Sequence, residues 1–187
     1  TDSDLIKVSG AKIAMVFQDP FTALNPVFTV GEQIAEAIEL HQACSRREAW
    51  QRAVEMLQTV QIDNAAQRIN DYPHQFSGGM RQRVMLAMAL SCQPELLLAD
   101  EPTTALDVTI QAEILKLIKE LQRKFNLSVI YITHNFGIIQ ALCQRVIVMQ
   151  KGMIVESGEV KQILAQPKEK YTRNLIECLQ VLRRDEK

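Results

Sequence analysis

The 187 residues predict an α/β fold built on a parallel sheet, with a helical lobe inserted between residues 20 and 75. Three observations carry this reading. Ile13–Phe17, Leu96–Ala99 and Leu127–Thr133 are apolar runs with the length and composition of buried strands. Helical periodicity fills the intervals between them, the alternation of strands joined by helical crossovers. Polar or acidic residues follow each run, at the carboxyl edge where such sheets hold ligands.

A hydrophobic fraction of 47% with 23% charged residues is globular, and a chain of this length buries about 70% of its unfolded surface. A net charge of −1 supplies no electrostatic attraction for nucleic acid or an anionic membrane. No apolar stretch approaches the roughly 18 residues of a membrane span, and no charged-then-apolar leader is present. The first residue is Thr1 and a strand pattern starts by Ile13, so the expectation is a chain shortened at its N-terminus. Cys44, Cys92, Cys143 and Cys178 form no C-x-x-C pair and read as reduced, packed thiols.

Each element follows from local chemistry. Gln18-Asp19-Pro20 ends the first strand. Thr29 with Glu32, and Ser45 with Glu48, have the hydroxyl and carboxylate of a capping box, so two helices follow up to Ile62. Asp63 to Gln75 reads as a polar connection containing Pro73. Ser77 caps a helix running through Val84, Leu86, Ala87 and Leu90 to about Cys92, and Pro94 bars its extension. The strand Leu96–Ala99, expected to be buried on both faces, delivers Asp100 and Glu101. Ile110, Ile114, Leu117, Ile118, Leu121 and Phe125 recur at helical spacing. Leu127–Thr133 is the third strand, and Phe136 to Cys143 a short helix. Val146–Met149 and Met153–Val155 flank a hairpin turn, and helices from Glu159 and about Lys170 complete the chain.

Three of these features carry chemistry. Asp100 can hold Mg²⁺ directly or through water, and Glu101 can orient or deprotonate an attacking water; both acids alone would also suit an ordinary strand end. Ser77-Gly78-Gly79 places a hydroxyl and unobstructed N–H groups at a helix start, which favours phosphate by about 0.3–2 kcal/mol per charge. By itself that tripeptide is a weak signal. Asp107 suits the N-cap of the helix from Val108. His74 reads as structural or interfacial. Arg81 and Arg83 suit phosphate or an acidic neighbour, or, the commoner case, a solvated helix face.

Together, Phe76-Ser77-Gly78-Gly79-Met80, then Leu96–Ala99 closing on Asp100-Glu101, then Pro102-Thr103-Thr104-Ala105-Leu106-Asp107, resemble the signature loop, Walker B strand and D-loop of an ATP-binding cassette (ABC) ATPase. Phe17-Gln18-Asp19-Pro20 with Leu24-Asn25-Pro26, the run Tyr72 to Arg83, and Tyr171-Thr172-Arg173-Asn174-Leu175 resemble the oligopeptide/dipeptide/nickel importer branch. The fold implied is a P-loop NTPase-like ABC ATPase core, lacking its N-terminal strands and P-loop. Residues 1–19 are the strand and Q-loop, 20–75 the helical subdomain, 76–158 the signature helix and C-terminal half of the core, and 159–187 a helical extension.

The resemblance implies roles residue by residue. Gln18 matches the Q-loop glutamine near Mg²⁺ and the hydrolytic water. Glu101 and His134 match the catalytic glutamate and the switch histidine that contacts the γ-phosphate. Asp100 matches the metal-shell aspartate. Ser77, Gly78, Gly79 and Met80 bind the nucleotide of an opposite subunit, and Asp107 lies at the interface. It implies ATP and Mg²⁺, a second ATPase subunit (identical or paralogous), two transmembrane permeases and a periplasmic or extracellular solute-binding protein, with no nucleic acid. The implied place is peripheral, on the cytoplasmic face of the plasma (inner) membrane, powering uptake of peptides, with nickel, glutathione or antimicrobial peptides also compatible. The alternative is a non-catalytic or soluble ABC ATPase fragment acting as an assembly or regulatory module.

Departures from the pattern are few. Phe76 and Met80 replace the generic leucine and glutamine, and Asn135 follows the histidine where aspartate is common. Cys178 is solitary, so no iron–sulfur centre is expected. No G-x-x-x-x-G-K-[ST] occurs in the 187 residues, and Leu96–Ala99 is expected to present a bare edge for want of a P-loop strand. The isolated 187-residue chain is therefore expected to aggregate or to bind ATP no more tightly than about millimolar, lacking the phosphate-cradling loop; micromolar affinity by isothermal titration would contradict this.

Overall fold

The computed structural model describes residues 8–104 and 106–185, with side chains described to Glu177 except Phe21. Ala105 of the D-loop run and the Cys178 side chain lie outside the described residues. Two compact units result, one up to Ile132 and one from Thr133.

The first unit contains a parallel sheet ordered β1 (Ile13–Val16), β2 (Leu96–Asp100), β3 (Ser128–Ile132). Ala14 pairs with Leu97 and Val16 with Ala99; across β2, Leu97 pairs with Val129 and Asp100 with Ile132. β2 is therefore the central strand, bonded on both sides. That corrects the expectation of a bare edge at Leu96–Ala99: β1 supplies one neighbour and β3 the other. The expectation of burial on both faces also needs correction. Ala14, Val16, Leu97 and Ala99 share one buried face, whereas Ile130 and Ile132, in register with Leu98 and Asp100, are about half exposed at 50% and 48%. Alternating side chains place these residues on the opposite face from Ala14, Val16, Leu97 and Ala99.

Between β1 and β2 run α1 (Pro20–Ala23), α2 (Val30–His41), α3 (Arg46–Thr59), α4 (Ala65–Arg68), a 3₁₀ turn (Pro73–Gln75) and α5 (Gly78–Leu90). Both expected capping boxes form, Thr29 with Glu32 and Ser45 with Glu48. The segment read as a polar connection holds α4 and the 3₁₀ turn, too short for periodicity to reveal. α5 is the hub, packing on β1, α1, α2, α3 and α6 (Val108–Phe125). Val84, Met85, Leu86, Ala87 and Leu90 are buried almost all round it, as expected of a helix enclosed by neighbours. α6 buries one stripe, Ile114, Leu117, Ile118 and Leu121.

The second unit comprises α7 (Phe136–Leu142), a hairpin of β4 (Arg145–Gln150) and β5 (Met153–Glu159), α8 (Val160–Ala165) and α9 (Lys170–Asp185). Lys151 and Gly152 form the two-residue turn, both at positive φ (50° and 78°), as right-handed hairpin twist requires. Among the described residues no helix is long and apolar enough to cross a membrane.

Glu156 of β5 is buried beneath the start of α9. Its carboxylate accepts the Lys168 and Glu169 N–H groups at 2.9 and 3.2 Å. The Thr172 hydroxyl and these two donors hold its pKa below the usual carboxylate value. A lowered folded pKa contributes stability that is fully present above the unfolded value of about 4.3 and lost as pH falls through the folded value. Glu156→Gln should lower the thermal midpoint at neutral pH, and the gap from the wild type should close in scans at progressively more acidic pH.

Candidate functional site

Register brings the first two site residues together. Val16 lies opposite Ala99, and each chain runs two residues further, to Gln18 and Glu101. There the Gln18 Nε2 donates to Glu101 Oε2 at 2.8 Å. The Thr104 hydroxyl donates to the same oxygen at 3.0 Å. The Glu101 N–H continues the ladder, donating to the Ile132 carbonyl at 2.9 Å. Beyond it the chain must leave the sheet, and Glu101 does so at φ +43°. A left-handed conformation costs a non-glycine residue about 1–2 kcal/mol, and residues held in that region against their preference cluster at functional sites. Asp100, half-buried, is the last residue of β2.

The second element is the turn into α5. Ser77 is exposed and caps the helix, its Oγ accepting the Met80 N–H at 3.4 Å. Gly78 and Gly79 are the first two helical residues, and Met80 packs against the core. A Cβ on Gly79 would lie 2.6 Å from Ile110 Cγ2. The glycine thus serves close packing of α5 on α6 as well as leaving its N–H open. Asp107 caps α6, its Oδ1 accepting the Ile110 N–H at 3.0 Å. Gln111 Nε2 donates to the Thr103 hydroxyl at 2.8 Å, pinning the turn between β2 and α6.

His134 belongs to the second unit, on an exposed bend two residues past the end of β3. The next residue, Asn135, caps α7 by accepting the Gly137 N–H at 2.9 Å. His74 stacks on Tyr72, with ring centroids 5.7 Å apart. Arg81 and Arg83 are not a solvated face. Arg81 Nε donates to the Pro73 carbonyl at 2.7 Å, and Arg83 donates to the Val60 carbonyl, Gln61 and Glu113 at 2.9–3.2 Å. The sequence reading missed Thr104 as a partner of Glu101. Thr104 stood inside a recognised motif, but only the folded turn reveals which carboxylate it meets.

Residues 1–104 match the family described as ABC transporter. The chain is 53% identical over 184 residues to a probable peptide ABC transporter ATP-binding protein, y4tR, of Sinorhizobium fredii, covering 98% of this chain and 55% of that protein. It is 59% identical over 169 residues to the glutathione import ATP-binding protein GsiA of Escherichia coli K12, covering 90% of this chain and 27% of that one. The chain thus spans about half the length of the first relative and about a quarter of the second. Among solved structures, the ATP-binding cassette MJ0796, as a post-hydrolysis dimer bound to ADP and Pi, superposes with a TM-score of 0.72 at 31% identity, covering 86% of this chain and 68% of that one. The chain belongs to the ABC transporter family, and its α/β fold is that of a partial ABC ATPase cassette.

The Gly79 packing is directly testable. Gly79→Ala should destabilise the protein by about 1–3 kcal/mol through overpacking, measured by urea unfolding. Part of that loss should be recovered in the double variant with Ile110→Ala, which removes the opposing Cγ2.

Proposed function

We propose that this chain is part of the ATP-binding and ATP-hydrolysing subunit of an ABC importer that powers uptake of peptides or related small solutes. The single observation that carries the reading is the 2.8 Å hydrogen bond between Gln18 and Glu101 at the carboxyl edge of a parallel sheet. Relatives named for peptide and glutathione transport support the solute class.

In this reading Glu101 holds and deprotonates the attacking water. Gln18 and Thr104 donate to one carboxylate oxygen and fix the direction of the side chain. His134 contacts the γ-phosphate. Ser77, Gly78, Gly79 and Met80 bind the triphosphate held by an opposite subunit, with Asp107 at the interface between the two. The hydroxyl of Ser77 suits this: capping uses it as an acceptor and leaves its proton available to phosphate. Residues 1–19 and 76–158 form the ATPase core, 20–75 the helical subdomain and 159–187 the extension.

Asp100, Glu101 and the Gln18 amide offer hard oxygen donors at one edge. No group of three or more His, Cys, Asp or Glu that could hold a metal stands together among the described residues. Mg²⁺ keeps most of its waters and takes one or two carboxylates with phosphate oxygens, a demand that the Asp100 carboxylate and the Gln18 amide oxygen suit. Asp100 and Gln18 would hold it, and when bound it neutralises phosphate charge. The chain's own groups contribute positioning and charge, the main demands of phosphoryl transfer. The proposed assembly pairs two ATPase subunits beneath two permeases at the cytoplasmic face, with a solute-binding protein delivering cargo.

A second reading is an assembly or regulatory module without chemistry. One variant separates the two. In the full-length subunit, Glu101→Gln should cut ATP hydrolysis about 10²–10⁴-fold while nucleotide binding persists. A module without chemistry hydrolyses nothing before or after the change.

A further inference from the structure

Resting on that functional reading, we propose that Arg68 is a positioning residue that holds the Ser77-Gly78-Gly79 turn ready for the triphosphate. Arg68 ends α4, outside the signature helix, and is half-buried. Its guanidinium makes four contacts in four directions. Nε donates to Asp71 Oδ2 at 3.1 Å, anchoring the group to its own segment. NH2 donates to the Gln75 carbonyl at 3.2 Å. The guanidinium carbon lies 4.5 Å from the centroid of the buried Phe76 ring. NH1 reaches Met80 Sδ at 3.7 Å. Gln75 and Phe76 precede Ser77, and Met80 ends the glycine turn, so one rigid cation brackets the phosphate-facing segment from both sides.

The far side of Arg68 is equally well held. The first two N–H groups of α2 donate to this segment, Val30 to the Asp71 carbonyl at 3.0 Å and Gly31 to the Ile69 carbonyl at 2.9 Å. A Cβ on Gly31 would come within 2.4 Å of Ile69 Cγ1 and 2.7 Å of its carbonyl oxygen, so nothing larger than glycine lets the backbones approach this closely. Gln33 of α2 in turn accepts the Asn25 N–H at 2.8 Å and donates to the Asn25 and Phe28 carbonyls at 3.0 and 3.1 Å. A continuous bonded route therefore runs from residues 25–33 through 69–71 to 75–80, and Arg68 is its last link before Ser77.

Only arginine meets these demands together. Its planar fork stacks on a ring while donating along separate edges; an ammonium is a point charge that can keep Asp71 or sit over the ring but cannot hold all four contacts at once.

The test compares wild type, Arg68→Met and Arg68→Lys in the full-length subunit. Amide exchange over 75–81 should accelerate about tenfold or more in Arg68→Met, while Val84–Leu90 keeps its protection. Arg68→Lys should remain impaired. The kcat for ATP should fall about 10- to 100-fold, the scale of misplaced catalytic groups, with ATP affinity within about twofold in both variants. Unchanged exchange over 75–81, uniform acceleration throughout the subunit, or full rescue by lysine would overturn the proposal. Wild type without ATP hydrolysis defeats the functional reading instead, and the exchange comparison still reports on Arg68.

Discussion

Parallel pairing of three strands with Val16 beside Ala99 and Asp100 beside Ile132 is the constraint on which the remaining geometry rests. Strand side chains alternate, so slipping β1 by one residue would turn Ala14 and Val16 out of the core and Ile13 and Met15 into it. The same slip would part Gln18 from Glu101. Burial of a few small and branched side chains thereby sets the position of an amide and a carboxylate at the sheet edge. Glu101 is held by the next rung of the ladder, and its left-handed backbone turns the chain out of the sheet immediately afterwards.

A second principle is economy at helix starts. Thr29, Ser45, Ser77, Asp107 and Asn135 all cap helices with side-chain oxygens. At Ser77 and Asp107 the capping residue is also one with a proposed ligand-facing or interfacial role. The two uses are compatible because a hydroxyl both accepts and donates, and a carboxylate has a second oxygen. Packing repeats the theme at Gly79, where closeness of α5 to α6 forbids a side chain.

The helical segment between β1 and α5 is more than a spacer. Backbone donors of α2 and the Gln33 amide tie its parts to one another, and Arg68, Arg81 and Arg83 join it to α5. Arg81 reaches back to the Pro73 carbonyl and Arg83 across to Val60 at the end of α3. Arg83 thus supplies a donor to the Val60 carbonyl, and Arg81 a second donor to the Pro73 carbonyl, which also accepts the Phe76 N–H. Their role is structural order around a turn whose own backbone is glycine-rich.

The order of the elements and both capping boxes were legible in the chain because each is written in local chemistry, whereas the roles given to Gln18 and His134 rest on the resemblance alone. Apolar run length, a hydroxyl three residues before a carboxylate, and glycine beside serine need no distant partner. α4 and the 3₁₀ turn were not legible, being too short to establish a period. Nor was the central place of β2: Leu96–Ala99 is apolar at every position whether it lies inside a sheet or at its edge, so neighbour identity depends on pairing with residues over 80 positions upstream and about 30 downstream. Arg68 could not be distinguished from any surface arginine, since its partners at 71, 75, 76 and 80 converge only after the intervening chain has turned back. Local propensity could be read from the chain alone; convergence of side chains from separate segments had to await folding, because it arises from packing between elements and not from any one of them.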